Sequence, residues 1–432
     1  MKLNTAHRPQ HVTHEGAPAR RITPEQQLAR LVSSCLLWEN TFYVDGQTVA
    51  DQIREAVKAV SPEYAAQTAI RARTELKLRH VPLLIVREMV RLPEHRVLVA
   101  ETLAAVIQRP DELTEFLAIY WKDGRQPLSG QVKKGLARAF LKFSAYQLAK
   151  YNRDGAVRLR DVLFLTHPTP QNQAQEETWK ALVEGTLAAP DTWEVALSAG
   201  ADKAETFARL LDERKLGALA LLRNLRGMLA AGVAQDRIRR ALQETNPERV
   251  LPFRFITAAR AAPTLEPELE RLMLRGLEGM PKLVGHTVLL LDASGSMTGK
   301  LSSKSELSRY DAAAALAMLA RELCESVEIY TFSDDLRQHR ARRGFALRDE
   351  LGPTRGATYL GAAVRQINTR PHDRLIVFTD EQSHDPVPNP RGLGYLVNVA
   401  TNKHGVGYGS WVHVDGFSEQ VMAWIQAHEA QG

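Results

Sequence analysis

The ten residues from Val288 to Met297, VLLLDASGSM, decide how this 432-residue chain is read. Four apolar residues in a row, closed by a small polar loop, suit a strand covered on both faces, as in the parallel sheet of an α/β domain. Ligands of such sheets gather beyond the carboxyl ends of the strands, and there Asp292, Ser294 and Ser296 offer three oxygen-bearing side chains at alternate positions. Mg²⁺ takes few protein ligands and keeps several waters, so one carboxylate with two hydroxyls suits it. The competing reading is a tight turn, in which Gly295 supplies permissive backbone and the serines hydrogen-bond locally. A phosphate loop is excluded, because Lys300 is followed by Leu301 and not by Ser or Thr.

The texture on either side of this stretch differs. After Pro281, strands expected at Val288, Val327 to Phe332, Leu375 to Thr379, Tyr395 to Ala400 and Trp411 to Val414 alternate with helices at Asp311 to Cys324, Tyr359 to Ile367 and Glu419 to Ala427, the last capped by Ser418. That alternation implies a doubly wound parallel sheet. From Ile22 to about Met280 the pattern is helical. Thr23-Pro24-Glu25, Ser61-Pro62-Glu63 and Arg109-Pro110-Asp111 mark helix starts, since proline at the first helical position loses no hydrogen bond. Amphipathic runs follow, among them Glu94 to Ile107, Leu113 to Trp121, Val132 to Tyr151, Glu176 to Leu187 and Ala204 to Leu229. No fixed period links them, so the expectation is an irregular HEAT-like helical-repeat array. The fold class is thus α followed by α/β, with a polar segment at 1–21, a helical domain at 22–282 and an α/β domain at 283–432.

Composition narrows the function classes. The chain is 44% hydrophobic, ordinary for a globular protein. Cys35 and Cys324 form no CxxC, which argues against a disulfide framework or a zinc site. No apolar run reaches bilayer length and the polar first 21 residues lack a signal-peptide core, so a cytoplasmic protein without membrane attachment is expected. The net charge of +6 is uneven: residues 283–432 hold 15 Lys and Arg against 17 Asp and Glu, a net −2, which leaves +8 for the rest. A basic helical part suits a polyanionic partner, although solvated helix surfaces are often basic too.

Two loops complete the candidate cation site. Thr358 precedes the helix at Tyr359, and Asp380 closes the strand Leu375 to Thr379. No histidine or carboxylate is evidently placed as a general base, so binding without turnover is expected. Two basic clusters stand out among the helices. The first holds Arg71, Arg73, Lys77, Arg79 and His80; the second runs through Lys133, Lys134, Arg138, Lys142, Tyr146, Lys150, Tyr151, Arg153, Arg158, Arg160 and His167. Members from 134 to 150 recur every four residues, a stripe that winds by about 40° per step, so only neighbours share a face. Cations interleaved with tyrosines suit single-stranded nucleic acid, whose phosphates pair with charge and whose bases stack on rings. A solvated surface with half-buried tyrosines is the plainer alternative. His167, before Pro168, would by default cap a helix end.

The set DxSxS, Thr358 and Asp380 resembles the metal-ion-dependent adhesion site (MIDAS) of von Willebrand factor type A domains. That resemblance implies Asp292, Ser294, Ser296, Thr358 and Asp380 as ligands of a divalent cation, with an open position for a partner's acidic group. The helical segments RTELKLRHVPLL and LAKYNRDGAVRLRDVLFLTHPTP, followed by LLLDASGSM, resemble the TROVE-module Ro family of RNA-binding proteins over about Pro24 to Trp424. The resemblance implies a helical ring closed against the type A domain. Its hole would take single-stranded 3′ ends of misfolded or incomplete small RNAs, and its outer basic surface Y RNAs, in RNA quality control. It carries Lys150 and His167 over as RNA-binding positions; Asp154 stands where a second basic residue is usual, and Arg153 is the substitute. Lys134, Arg138, Lys142, Arg79 and His80 complete the candidate RNA surface. The expected protein is a non-enzymatic ribonucleoprotein component that binds small non-coding RNA and not DNA, with Mg²⁺ as cofactor. An exoribonuclease or another protein partner would meet the metal site. The rival reading is a cation-dependent protein-protein adaptor, and a weaker one is a metal-dependent nuclease.

Overall fold

The computed structural model describes residues 12–429 other than 14–15, 19, 22, 35–45, 75–77, 189, 248–249, 251, 301–306, 401–403, 407–408 and 416–419. Cys35, Lys77 and Ser418 lie outside the described residues. The first elements are β1 (Arg20–Arg21), α1 (Pro24–Ser34), α2 (Gly46–Lys58), α3 (Pro62–Thr74), α4 (His80–Arg91), α5 (Arg96–Val106), α6 (Pro110–Tyr120), α7 (Gly130–Phe140), α8 (Ala145–Tyr151), α9 (Leu159–Thr166), α10 (Gln173–Glu184) and α11 (Trp193–Ser198). Then follow α12 (Lys203–Asp212), α13 (Ala218–Ala230), α14 (Gln235–Glu244), α15 (Pro252–Ala261), α16 (Glu266–Arg275), β2 (Leu283–Asp292), α17 (Arg309–Leu323), β3 (Cys324–Phe332), β4 (Leu336–His339), α18 (Gly344–Leu351), α19 (Leu360–Ile367), β5 (Arg374–Thr379), β6 (Leu393–Asn398), β7 (His404–Gly405), β8 (Trp411–Asp415) and α20 (Gln420–Glu429). Contacts divide them into two compact units, residues 50–206 and residues up to Val49 together with Phe207 onward.

The 50–206 unit is helical throughout. Pro62 and Pro110 open α3 and α6 as the sequence signals require. Glu112, at the third position of α6, accepts from the backbone N–H groups of Gln108 (2.7 Å) and Arg109 (3.1 Å) and from Arg73 Nη2 (2.6 Å), joining two helices through one buried carboxylate. Packing is closest between α5 and α7: a Cβ on Gly135 would lie 2.9 Å from Leu103 Cβ and 3.0 Å from the Ala100 oxygen, so only glycine admits that approach. The run Val132 to Tyr151 is not one helix. Ser144 starts α8 afresh, accepting from Gln147 N (3.3 Å) while Gln147 Oε1 accepts from Ser144 N (3.0 Å), a reciprocal cap that competes with continuation of α7. The run Ala204 to Leu229, most of which belongs to the second unit, also divides, at Arg214, whose positive φ of 55° no right-handed helix accommodates.

The second unit is built on a six-stranded sheet of order β4-β3-β2-β5-β6-β8. Five strands are parallel, and β4 pairs antiparallel with β3, which makes the sheet mixed at one edge. Sequence reading missed β4 because its residues, Leu336 to His339, are mostly polar and half-buried or exposed. Val288 and Leu290 pack with Val364 and Ile367 of α19, and α17 lies against β2 as well. The helices before Pro281 do not end where the sheet begins: α15 packs on α17 and α16 on α18. Arg260 Nη1 donates to Asp311 at 3.1 Å across the first of these contacts. Buried Arg374 holds α20 in place, donating to Glu429 Oε1 (2.7 Å) and Thr287 Oγ1 (2.9 Å). The polar N-terminal segment also joins this unit. Buried Thr13 donates to the Ser383 carbonyl (2.8 Å), and β1 pairs with β7.

Candidate cation site and basic helical face

The loop after β2 begins at Asp292, whose Oδ1 accepts from Ser294 N (2.9 Å) and whose Oδ2 accepts from Thr379 Oγ1 (2.7 Å). Ser294 Oγ and Ser296 Oγ lie 3.1 Å apart. Backbone bonds sew this loop to the one before α19, from Arg355 N to Ala293 O (2.6 Å) and from Gly295 N to Gly356 O (3.1 Å). Gly356 is required there, because its φ is positive and a Cβ would enter the Asp334 carboxylate that accepts from Ala357 N. The third loop is tied to the second by His384 N donating to Thr358 O at 2.8 Å. The three loops therefore meet, and Asp292, Ser294, Thr358 and Asp380 are all buried.

Two carboxylates in this dry setting are held at a cost. Burial pushes the Asp292 carboxyl up to about 7, the Asp380 charge adds to the rise, and hydrogen bonds from Ser294 and Thr379 pull against it. A bound cation would relieve that penalty, and two carboxylates with three hydroxyls form the hard oxygen set that Mg²⁺ takes, so the residues fit the group. Among the described residues no group of three His, Cys, Asp or Glu side chains is placed to hold a metal ion. Sequence reading missed Arg309, which starts α17 and brings Nη1 to 3.5 Å from Asp380 Oδ2 in a buried ion pair. It also missed Glu381, whose positive φ turns the chain sharply after Asp380 and whose Oε1 lies 3.1 Å from His413 Nδ1. Neither feature has a local sequence signature, since each partner comes from a distant element.

On α7 to α9 the basic residues sort by their partners. Lys142 lies past the end of α7, its Nζ donating to the carbonyls of Ala104 and Ile107 at the end of α5. Arg79 is engaged with Asp111 (2.9 Å) and Glu115. Burial, with the charge of Arg79 adding, lowers the neighbouring His80 below its usual range. By contrast Lys133, Lys134, Arg138, Lys150, Arg153 and Arg160 make no ion pair among the described residues. Lys134 and Arg138 are exposed one turn apart on α7, and Lys150 closes α8. Asp154 pairs with Arg158 at 3.1 Å, and Arg153 beside it is exposed. His167 is the C-cap of α9, in the left-handed conformation with its backbone N–H on Leu163 O (2.9 Å) and its side chain exposed. Tyr146 and Phe164 are 54% and 58% exposed, and Arg109 lies 4.6 Å from the Tyr151 ring centre.

The chain thus has a largely helical part before Pro281 and a doubly wound α/β module after it. Residues 185–278 match the family model described as TROVE domain. Two relatives are both described as telomerase protein component 1. The one from Mus musculus is 36% identical over 89 residues, 19% of this chain and 3% of that protein. The one from Rattus norvegicus is 21% identical over 346 residues, 58% of this chain and 13% of that protein. The chain thus spans a small part of the length of these relatives. The crystal structure of the Deinococcus radiodurans Ro (RSR) protein superposes with a TM-score of 0.59 at 18% identity, over 93% of this chain and 99% of that one. Residues 185–278 are thus similar to the TROVE domain family, and the fold of the chain is like that of the Deinococcus radiodurans Ro protein.

Proposed function

We propose that the protein is a non-catalytic, cytoplasmic RNA-binding component of a small ribonucleoprotein. It takes single-stranded 3′ ends of small non-coding RNAs, and structured Y-type RNA on its basic surface, in RNA quality control. The observation that carries this reading is that Lys133, Lys134, Arg138, Lys150, Arg153 and Arg160 make no ion pair among the described residues, together with exposed Tyr146 and Phe164. Unneutralised charge tracks phosphates, and exposed rings give bases a surface to stack on. The type A-like site, with Asp292, Ser294, Ser296, Thr358 and Asp380 around Mg²⁺, is then a second binding site, open to a protein partner such as an exoribonuclease.

The test is binding of a structured RNA with a single-stranded 3′ tail, measured against salt. Affinity falls with a log-log slope of about −0.7 per neutralised phosphate, and Lys150→Ala weakens binding and flattens the slope. Absence of binding to tailed and structured RNAs at low salt overturns the reading. The buried oxygen set favours one alternative, a cation-dependent adaptor. In that case Asp292→Ala abolishes capture of a protein partner, and RNA has no effect on it.

A further inference from the structure

The 50–206 unit contains a cleft of about 890 Å³ between the end of α8 and α11. Its first wall carries Lys150 and Arg153, two cations without ion pairs among the described residues. The facing wall carries Trp193, Val195 and Leu197 of α11, all half-buried; none of the six residues of this helix is fully buried. Glu194 lies on the same wall. Its Oε2 is shielded from solvent and has no hydrogen-bond partner among the described residues. A shielded carboxylate oxygen costs free energy until a donor reaches it.

We infer that this cleft is a nucleotide subsite: phosphate at Lys150 and Arg153, base against the Trp193 ring, and an exocyclic amino group of the base donating to Glu194. The inference rests on the RNA-binding reading and adds a base preference to it. A carboxylate accepts from the amino group of adenine, cytosine or guanine, whereas uracil has carbonyl oxygens in place of amino groups. The volume exceeds that of one nucleotide, so the flanking backbone can pass through.

The experiment measures fluorescence anisotropy of 5′-labelled C8 and U8 oligoribonucleotides with the full chain at low salt. Wild type is expected to bind both, C8 more tightly. Trp193→Ala weakens both by about 5- to 150-fold, the stacking range of about 1 to 3 kcal/mol, without changing the salt slope, and Trp193→Phe restores most of the loss. Glu194→Gln removes the preference for C8, because an amide can also donate to uracil. If Trp193→Ala and Glu194→Gln, folded by circular dichroism, bind both oligomers as wild type does, the subsite is overturned while the RNA-binding reading stands. If wild type binds neither these oligomers nor a tailed structured RNA, the reading itself falls and the subsite with it.

Discussion

Replacing Asp292 with asparagine separates the cost of the candidate cation site from its proposed use. The carboxyl is fully buried and raised from 3.8 to about 7, so in metal-free protein the folded state holds a proton that the unfolded chain has already released between those values. Stability therefore falls as pH rises through this window and levels off above it, by about 4 kcal/mol in all at about 1.4 kcal/mol per tenfold change. The amide introduced by Asp292→Asn keeps an oxygen for Ser294 N, and the Thr379 hydroxyl can turn to accept from its NH₂ group, so the geometry survives. In EDTA at pH 8 the variant should melt about 10 °C above wild type, since a unit of this size gains about 2 to 4 °C per kcal/mol. At pH 4 the two should nearly coincide. Saturating Mg²⁺ at pH 8 should then raise the wild type by about 2.7 kcal/mol at a hundredfold excess over Kd and leave the variant unmoved. Thermal melts from pH 4 to 8, with and without Mg²⁺, provide the readout; parallel pH curves for the two proteins would refute the argument.

Two further substitutions probe the 50–206 unit. Glu112→Ala leaves Arg73 buried without its 2.6 Å partner and orphans two backbone donors, so urea unfolding should show a loss of about 3 to 5 kcal/mol. A loss below about 1 kcal/mol would mean that water reaches the pair. Gly135→Ala places a methyl 2.9 Å from Leu103 Cβ and should cost about 1 to 3 kcal/mol, with Leu103→Ala in the same chain recovering part of it.

Much of this was legible in the sequence, for stated reasons. VLLLDASGSM reads as a central strand because all six residues from Thr287 to Asp292 are buried, and its loop meets Thr358 and Asp380 because doubly wound connections bring those strand ends together. Proline at the start of α3 and α6 announces itself locally. The Ser144 and Gln147 cap is equally local, but the four-residue recurrence of basic residues runs straight across the break it makes. Arg309 beside Asp380, and Glu381 beside His413, could not be read because each depends on a partner about 30 or more residues away. The cations themselves were visible, but their availability was not. Arg79 and Lys142 look like Lys150 in sequence, and only their neighbours show that the first two are already engaged.

The bond from Thr13 to Ser383 spans 370 residues, and it sets an order of events during synthesis. At about 5 to 20 residues per second, the opening segment leaves the ribosome roughly 20 to 75 s before the loop it binds exists. Residues 50–206 are complete as a unit long before then. Residues 50–206 are thus synthesised in full while the segment around Thr13 still waits for the loop between β5 and β6.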